Sequence, residues 1–184
     1  YVAVGADGTF SDVAGAGDAF TTILSVLIGG VTLTGSVIAY MKLQGSLRKG
    51  NPILLPNRHM ITLGVAIGAL FFAWIATFAV PSYGFSTFFL LLFGLGALAL
   101  GVLLVIPIGG ADMPVVVSLL NSYSGIAASM AGFVIGNPLL VVGGALVGAS
   151  GLILTNIMCR AMNRSLLNVL VGGFGQQEGS SGGA

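Results

Sequence analysis

The sequence predicts an all-α protein, a polytopic membrane bundle of five transmembrane helices, and three observations predict it. Only 6% of its 184 residues are charged while 56% are apolar, with a mean hydropathy of +1.07; soluble domains carry about a quarter charged residues. Five apolar runs reach the roughly 20 residues that a helix needs to cross a bilayer. The links between them hold the residues that stop and start helices. Strands are disfavoured, because the runs are about twice as long as a barrel strand and lack strict polar–apolar alternation.

Each element follows in order. The first helix is expected over 19–41 and carries Ser25, Gly29, Thr32 and Ser36 at spacings that put them on one face. After "GNPILLPNR" comes the second, over 60–80, and after "PSYG" the third, over 85–106. Both are rich in Leu and Phe and are expected to face lipid more than the others. "IPIGGADMP" opens the fourth, over 113–135, with a stripe of Ser118, Asn121, Gly125 and Gly132. "GNP" separates it from the fifth, over 139–162, where Gly144, Gly148, Gly151, Thr155 and Cys159 share a face and Ser150 and Asn156 stand at its margins. Short links make sequential helices antiparallel neighbours.

Lipid offers little hydrophobic force between helices, so small residues and interhelical hydrogen bonds must join them. The stripes on the first, fourth and fifth helices therefore predict that these three meet. Packing by itself accounts for any one Gly, with Gly29, Gly125, Gly144, Gly148 and Gly151 as the expected contacts. A polar seam shared by three helices would also suit water or a proton relay, and Asn121 is its most polar member on the fourth. An unpaired carboxamide in hydrocarbon costs several kcal/mol; Asn156 is the expected partner.

Orientation comes from the basic residues. Lys42, Arg48, Lys49 and Arg58 are placed in the loop after the first helix, and Arg160 and Arg164 flank the end of the fifth, so all six fall on one side. That side is predicted inside. Asp7, Asp12 and Asp18 precede the first helix, which places the N-terminus outside and the C-terminus inside. Residues 1–18 are expected to be the remnant of an external loop, 19–165 the transmembrane domain, and 166–184, rich in Gly, Ser and Gln, a linker towards a further domain. No basic patch interleaved with aromatics points to nucleic acid.

Asp112 is the only acidic residue between the first helix and the tail. In "ADMP" it suits an N-cap, with Pro114 in the first turn. It equally suits a proton acceptor at the inner end of the polar seam, where desolvation favours the neutral acid. The two roles are compatible. His59, the only histidine, titrates near neutrality by default, but beside Arg58 it reads as an interfacial residue in contact with water. Cys159, the only cysteine, allows no intrachain disulfide and reads as a small packing residue. No pair of His or Cys ligands suggests a metal, and no Gly-rich nucleotide loop follows a strand. A passive anchor for soluble domains and part of a secondary transporter remain the rival readings. A transporter would be expected to show internal repeats, and none is found between the two halves.

The stretches "GGVTLTGSVIAYMKLQG", "LLPNRH", "IGGADMPVVVSLLNSYSG" and "GALVGASGLILTNIMCRAMNRSLLNVLVGGFG" closely resemble the membrane domain of the proton-translocating NAD(P) transhydrogenases, in the beta subunit or the equivalent single-chain region. The resemblance covers residues 17–175 in order. It implies a domain that conducts protons and couples them to hydride transfer between NADH and NADP+ in separate soluble domains. By the same resemblance Asp112 and Asn121 match the acid and the asparagine of the proton pathway and of coupling; the polar seam read from the residues themselves adds Ser118, Ser150 and Asn156 to the expected pathway. Gly144, Gly148, Ser150 and Gly151 match the small-residue face of the last helix. Arg160, Asn163 and Arg164 match the junction towards the nucleotide domain.

The family's intramembrane histidine lies on a helix ahead of the matched stretch, so His59 does not inherit its role. The chain is accordingly expected to bind no nucleotide itself, with NAD(H) and NADP(H) belonging to the complete enzyme. Implied partners are earlier helices of the same subunit, alpha-subunit membrane helices, the NAD(H)- and NADP(H)-binding domains, the lipid bilayer, and a second copy in a dimer of the complete enzyme. The implied location is the bacterial cytoplasmic membrane or the mitochondrial inner membrane.

Overall fold

A computed structural model describes residues 16–45, 58–79 and 83–163. Its elements are α1 (Ala16–Leu43), α2 (Arg58–Trp74) with a π-helical last turn (Ile75–Ala79), α3 (Tyr83–Val105), a 3-10 turn (Gly110–Asp112), α4 (Met113–Val134) and α5 (Pro138–Ala161). Among the described residues, all five spans have the length and apolarity to cross a membrane. The five predicted helices are thus present, with ends shifted by at most a turn. α1 begins three residues earlier than expected, which puts Asp18 in its first turn.

Local chemistry accounts for the ends. α4 closes where Gly136 takes a left-handed φ of 63°, with Asn137 N–H donating to the Gly132 carbonyl at 2.9 Å and Gly136 N–H to Phe133 at 3.2 Å. This is a glycine stop that satisfies two orphan carbonyls. Asn137 then opens α5: its side chain accepts from Leu139 N–H and Leu140 N–H, ahead of Pro138 in the first turn. At the end of α2, the widened π turn leaves the Ala76 carbonyl to accept from Ser86 of α3 at 2.8 Å.

The helices pack as a row in the order α2, α3, α1, α4, α5. This corrects two expectations. α1 and α5 do not share a seam; they hold faces of α4 about half a turn of the helix apart, α1 through Ser25, which donates to the Ala127 carbonyl, and α5 through Ser122, which donates to Gly148. α3 is not a lipid-facing outrigger but lies between α1 and α2. Its α1 face is as narrow as any: a Cβ at Gly101 would overlap Thr34 Oγ1 and the Val31 carbonyl, and Thr34 donates to the Leu98 carbonyl at 2.7 Å. Its other face meets α2 through Gly96 against Ala69 and the buried Phe93. The Leu- and Phe-rich reading saw side chains such as Phe71 and Phe88, which are exposed, and overlooked the small residues between them.

Half of the α4 span is buried, against at most 28% of any other. Its N-terminal end lies in a core of Ala39, Val105, Ile108, Met113, Val115 and Cys159, contributed by α1, α3, α4, α5 and the link between α3 and α4. Three other helices and the α3–α4 link therefore converge where α4 begins.

Candidate functional site

Asp112 stands at that convergence, as the last residue of the 3-10 turn and the N-cap of α4. Its backbone is helical (φ −93°, ψ −3°) and its carboxylate makes no capping bond to the helix. Capping needs an extended residue whose side chain folds back over the first turn; Asn137 has that conformation (φ −104°, ψ 99°) and does cap. The capping role expected of the Asp112 side chain is therefore not taken, because the preceding turn Asp112 N–H to Gly109 O (3.1 Å) holds the backbone in the helical region. The residue is half-buried and its Oδ1 is buried.

Lys42 is the residue that sequence reasoning misplaced. Rather than lying in a loop it occupies the last turn of α1 and is 3% exposed. Its ammonium donates to the carbonyls of Ile106 and Ile108, the latter at 2.7 Å. A signal was there: Thr32, Gly35, Ala39 and Lys42 follow helical spacing, and all four are buried. The helix continues two residues past its expected end, to Leu43.

Along α4 and α5 the small residues are in backbone contact. A Cβ at Gly125 would stand 2.6 Å from Gly148 N, one at Gly144 2.5 Å from Ser129 N, and one at Gly151 2.7 Å from Ser122 Cβ. The hydroxyls in this contact bond across it or back to their own helix: Thr155 Oγ1 lies 3.0 Å from Ser118 Oγ of α4 and 2.8 Å from the Gly151 carbonyl of its own helix, and Ser122 donates to Gly148 of α5 at 2.5 Å. The backbones touch at these glycines, and a groove of about 480 Å³ opens beside them, lined by Ser124, Gly125, Asn137, Gly143 and Gly144.

Asn121 is elsewhere. It is exposed and lines an open groove of about 490 Å³ between α1 and α4, together with Gly29, Thr32, Ser36 and Ser124. The neighbouring hydroxyls donate back to their own helices, Ser124 to the Asn121 carbonyl, Ser36 to Thr32 and Thr32 to Gly29. Gly29 is corrected here from packing residue to groove lining, since a Cβ on it would meet nothing within 4 Å. Asn156 is likewise not the partner of Asn121. Both are exposed, no hydrogen bond joins them among the described residues, and Asn156 follows Thr155, whose level on α4 is Ser118, nearly a turn from Asn121. Ser150 is exposed too and donates to Val147 on its own helix.

At the end of α5, Arg160 is exposed and Asn163 takes a left-handed φ of 54°, a conformation Asn tolerates better than most residues. Arg48, Lys49, Arg164, the stretch 1–15 and the tail lie outside the described residues, as do the side chains of Arg58 and His59. Among the described residues no three metal-ligating side chains gather. The chemistry on offer is a half-buried acid at one end of α4 and, two and a half turns along it, a carboxamide in an open groove. The two are about 13 Å apart along the axis at helical rise.

The sequence profile of the NAD(P) transhydrogenase beta subunit matches residues 3–184. Two curated NAD(P) transhydrogenase beta subunits from Rhodospirillum rubrum, one of them from a defined strain, are each 50% identical to the chain over 171 residues. The match covers 92% of this chain and 36% of each relative, so the chain spans little more than a third of the length of the curated proteins it matches.

Proposed function

The chain belongs to the NAD(P) transhydrogenase beta subunit family, and from that premise we propose that its helices form part of the proton-translocating membrane portion of such an enzyme. In the complete enzyme this portion couples proton movement across the membrane to hydride transfer between NADH and NADP+ in separate soluble domains. NAD(H) and NADP(H) are held by those soluble domains, and the helices of this chain act on the proton side of the coupling.

The observation that carries the proposal is the position of Asn121. A carboxamide inside a membrane span, exposed to an open groove, is costly unless it serves water or a further helix. The track therefore runs along the open face of α1 and α4, and the additional helices of the subunit, with those of the alpha subunit, close it. A proton enters from the outside, passes by water and the Asn121 amide, and reaches Asp112. Lys42 and Arg160 stand at the same end as Asp112, which by charge is the inner one. Protonation of Asp112 changes the contact with the NADP(H)-binding domain, and the coupling is reciprocal. Arg160, Asn163 and Arg164 lead into that domain, and the whole assembles as a dimer in the bacterial cytoplasmic or mitochondrial inner membrane.

The rival is a tether in which all polar residues are helix glue, and the hydrogen bonds across the α4–α5 contact favour it for Ser118 and Ser122. Asn121 and Asp112 are the residues that separate the readings. In the full-length enzyme in vesicles, Asp112→Asn and Asn121→Leu are expected to reduce proton pumping by about tenfold or more while hydride exchange between bound nucleotides persists. Pumping at the unaltered rate in both variants would leave the tether.

A further inference from the structure

Lys42 is a buried cation that the proton track does not use. A lysine inside a span marks function when its partner can be named, and here the partners are backbone: the carbonyls of Ile106 and Ile108. These flank Pro107 in the link that leaves α3 and ends on Asp112. Between the clamp and the acid stand Gly109 and Gly110, the residues least able to hold a conformation by themselves.

The charges are laid out by helix polarity. α1 and α3 both finish here with unsatisfied carbonyls, where a cation is favoured, while α4 begins here with free N–H groups, where an anion is favoured. Lys42 meets the first demand, and the seven residues 106–112 carry the chain from the carbonyls it holds to Asp112 at the start of α4. Besides the Lys42 ammonium, backbone bonds tie the link: Ile106 N–H to Val102 O at 3.0 Å, Ile108 N–H to Val105 O at 3.2 Å, Asp112 N–H to Gly109 O at 3.1 Å and Met113 N–H to Gly110 O.

We propose that Lys42 is the positioning residue of the α3–α4 link: its ammonium ties α1 to that link and so fixes where Asp112 stands. Any movement of the end of α1 is then passed to the acid through two hydrogen bonds. The clamp rests on the contacts alone; its bearing on protons rests on the role proposed above for Asp112.

The test uses the complete enzyme in vesicles with Lys42→Met and Lys42→Arg, and Lys42→Gln in place of Met should the latter fail to accumulate. Amide exchange is read on the peptide spanning 106–112, beside proton pumping and hydride exchange between bound nucleotides. Lys42→Met is expected to speed exchange in the link and to lower pumping by about tenfold, with hydride exchange held within about twofold; Lys42→Arg restores the link and most of the pumping. Unchanged link protection in Lys42→Met and Lys42→Gln would overturn the clamp. A loosened link with normal pumping would overturn its positioning role, and so would a failure of Arg to restore either. Asp112→Asn is measured in parallel: normal pumping there, with the link still loosened by Lys42→Met, sinks the reading of Asp112 and leaves the clamp standing.

Discussion

Polar side chains in this bundle divide by what satisfies them. Thr155, Ser118 and Ser122 are sealed between α4 and α5 by their own hydrogen bonds, whereas Asn121 has the groove. Hydroxyls of the first kind are modest glue. Thr155→Val, which keeps the branched shape and removes the oxygen, is expected to lower stability by about 1 kcal/mol in a denaturant titration of the detergent-solubilised protein and to leave pumping intact. A collapse of pumping in that variant would move the track into the α4–α5 contact. Sequence reading named Asp112 and Asn121 because charge and amide are rare in an apolar chain. It could not separate Asn121 from Ser118, three residues away, because a stripe of polar residues does not say which edge of it a neighbour covers. Lys42 was missed for a related reason: a lysine at the end of a span is normally solvated, and its burial depends on carbonyls more than 60 residues along the chain.

Helix pairs meet wherever two glycine-bearing faces can bring their backbones together, and the glycines are not equivalent. Gly144 faces Ser129 N at contact distance, while a Cβ on Gly143, one residue earlier, would meet nothing within 4 Å. Gly144→Ala is expected to push α5 off α4 at a cost of about 1–3 kcal/mol. Gly143→Ala should be neutral or stabilising by up to about 1 kcal/mol, since alanine is the better helix former. Thermal unfolding of the two variants side by side checks this, and equal losses would mean that the α4–α5 contact is looser than its geometry. The helices themselves were legible because length, apolarity, Pro114, Asn137 and Pro138 act locally. The role of α3 was not, because Gly96, Ala97 and Gly101 are inconspicuous among its leucines yet set both of its contacts.

At the level of the whole chain, the row α2, α3, α1, α4, α5 leaves one side of α1 and α4 open, with Asn121, Thr32 and Ser36 along it. The order can be checked by cross-linking with a short thiol reagent after Cys159 is replaced. Ser25→Cys with Ala127→Cys should join α1 to α4, while Asn121→Cys with Asn156→Cys should not react; the opposite result would restore the three-helix seam. The amino-acid order settled how many spans there are, where each starts and stops, and which two residues are chemically out of place in lipid. Those properties follow from the backbone's need to satisfy its own hydrogen bonds in hydrocarbon and from capping within a turn or two. Which spans touch, which glycines are filled against, and that Lys42 grips the link before Asp112 came only with the packed fold. Small-residue faces recur on α1, α3, α4 and α5 alike, and no local rule pairs one with another; shape complementarity over the full length of two helices does.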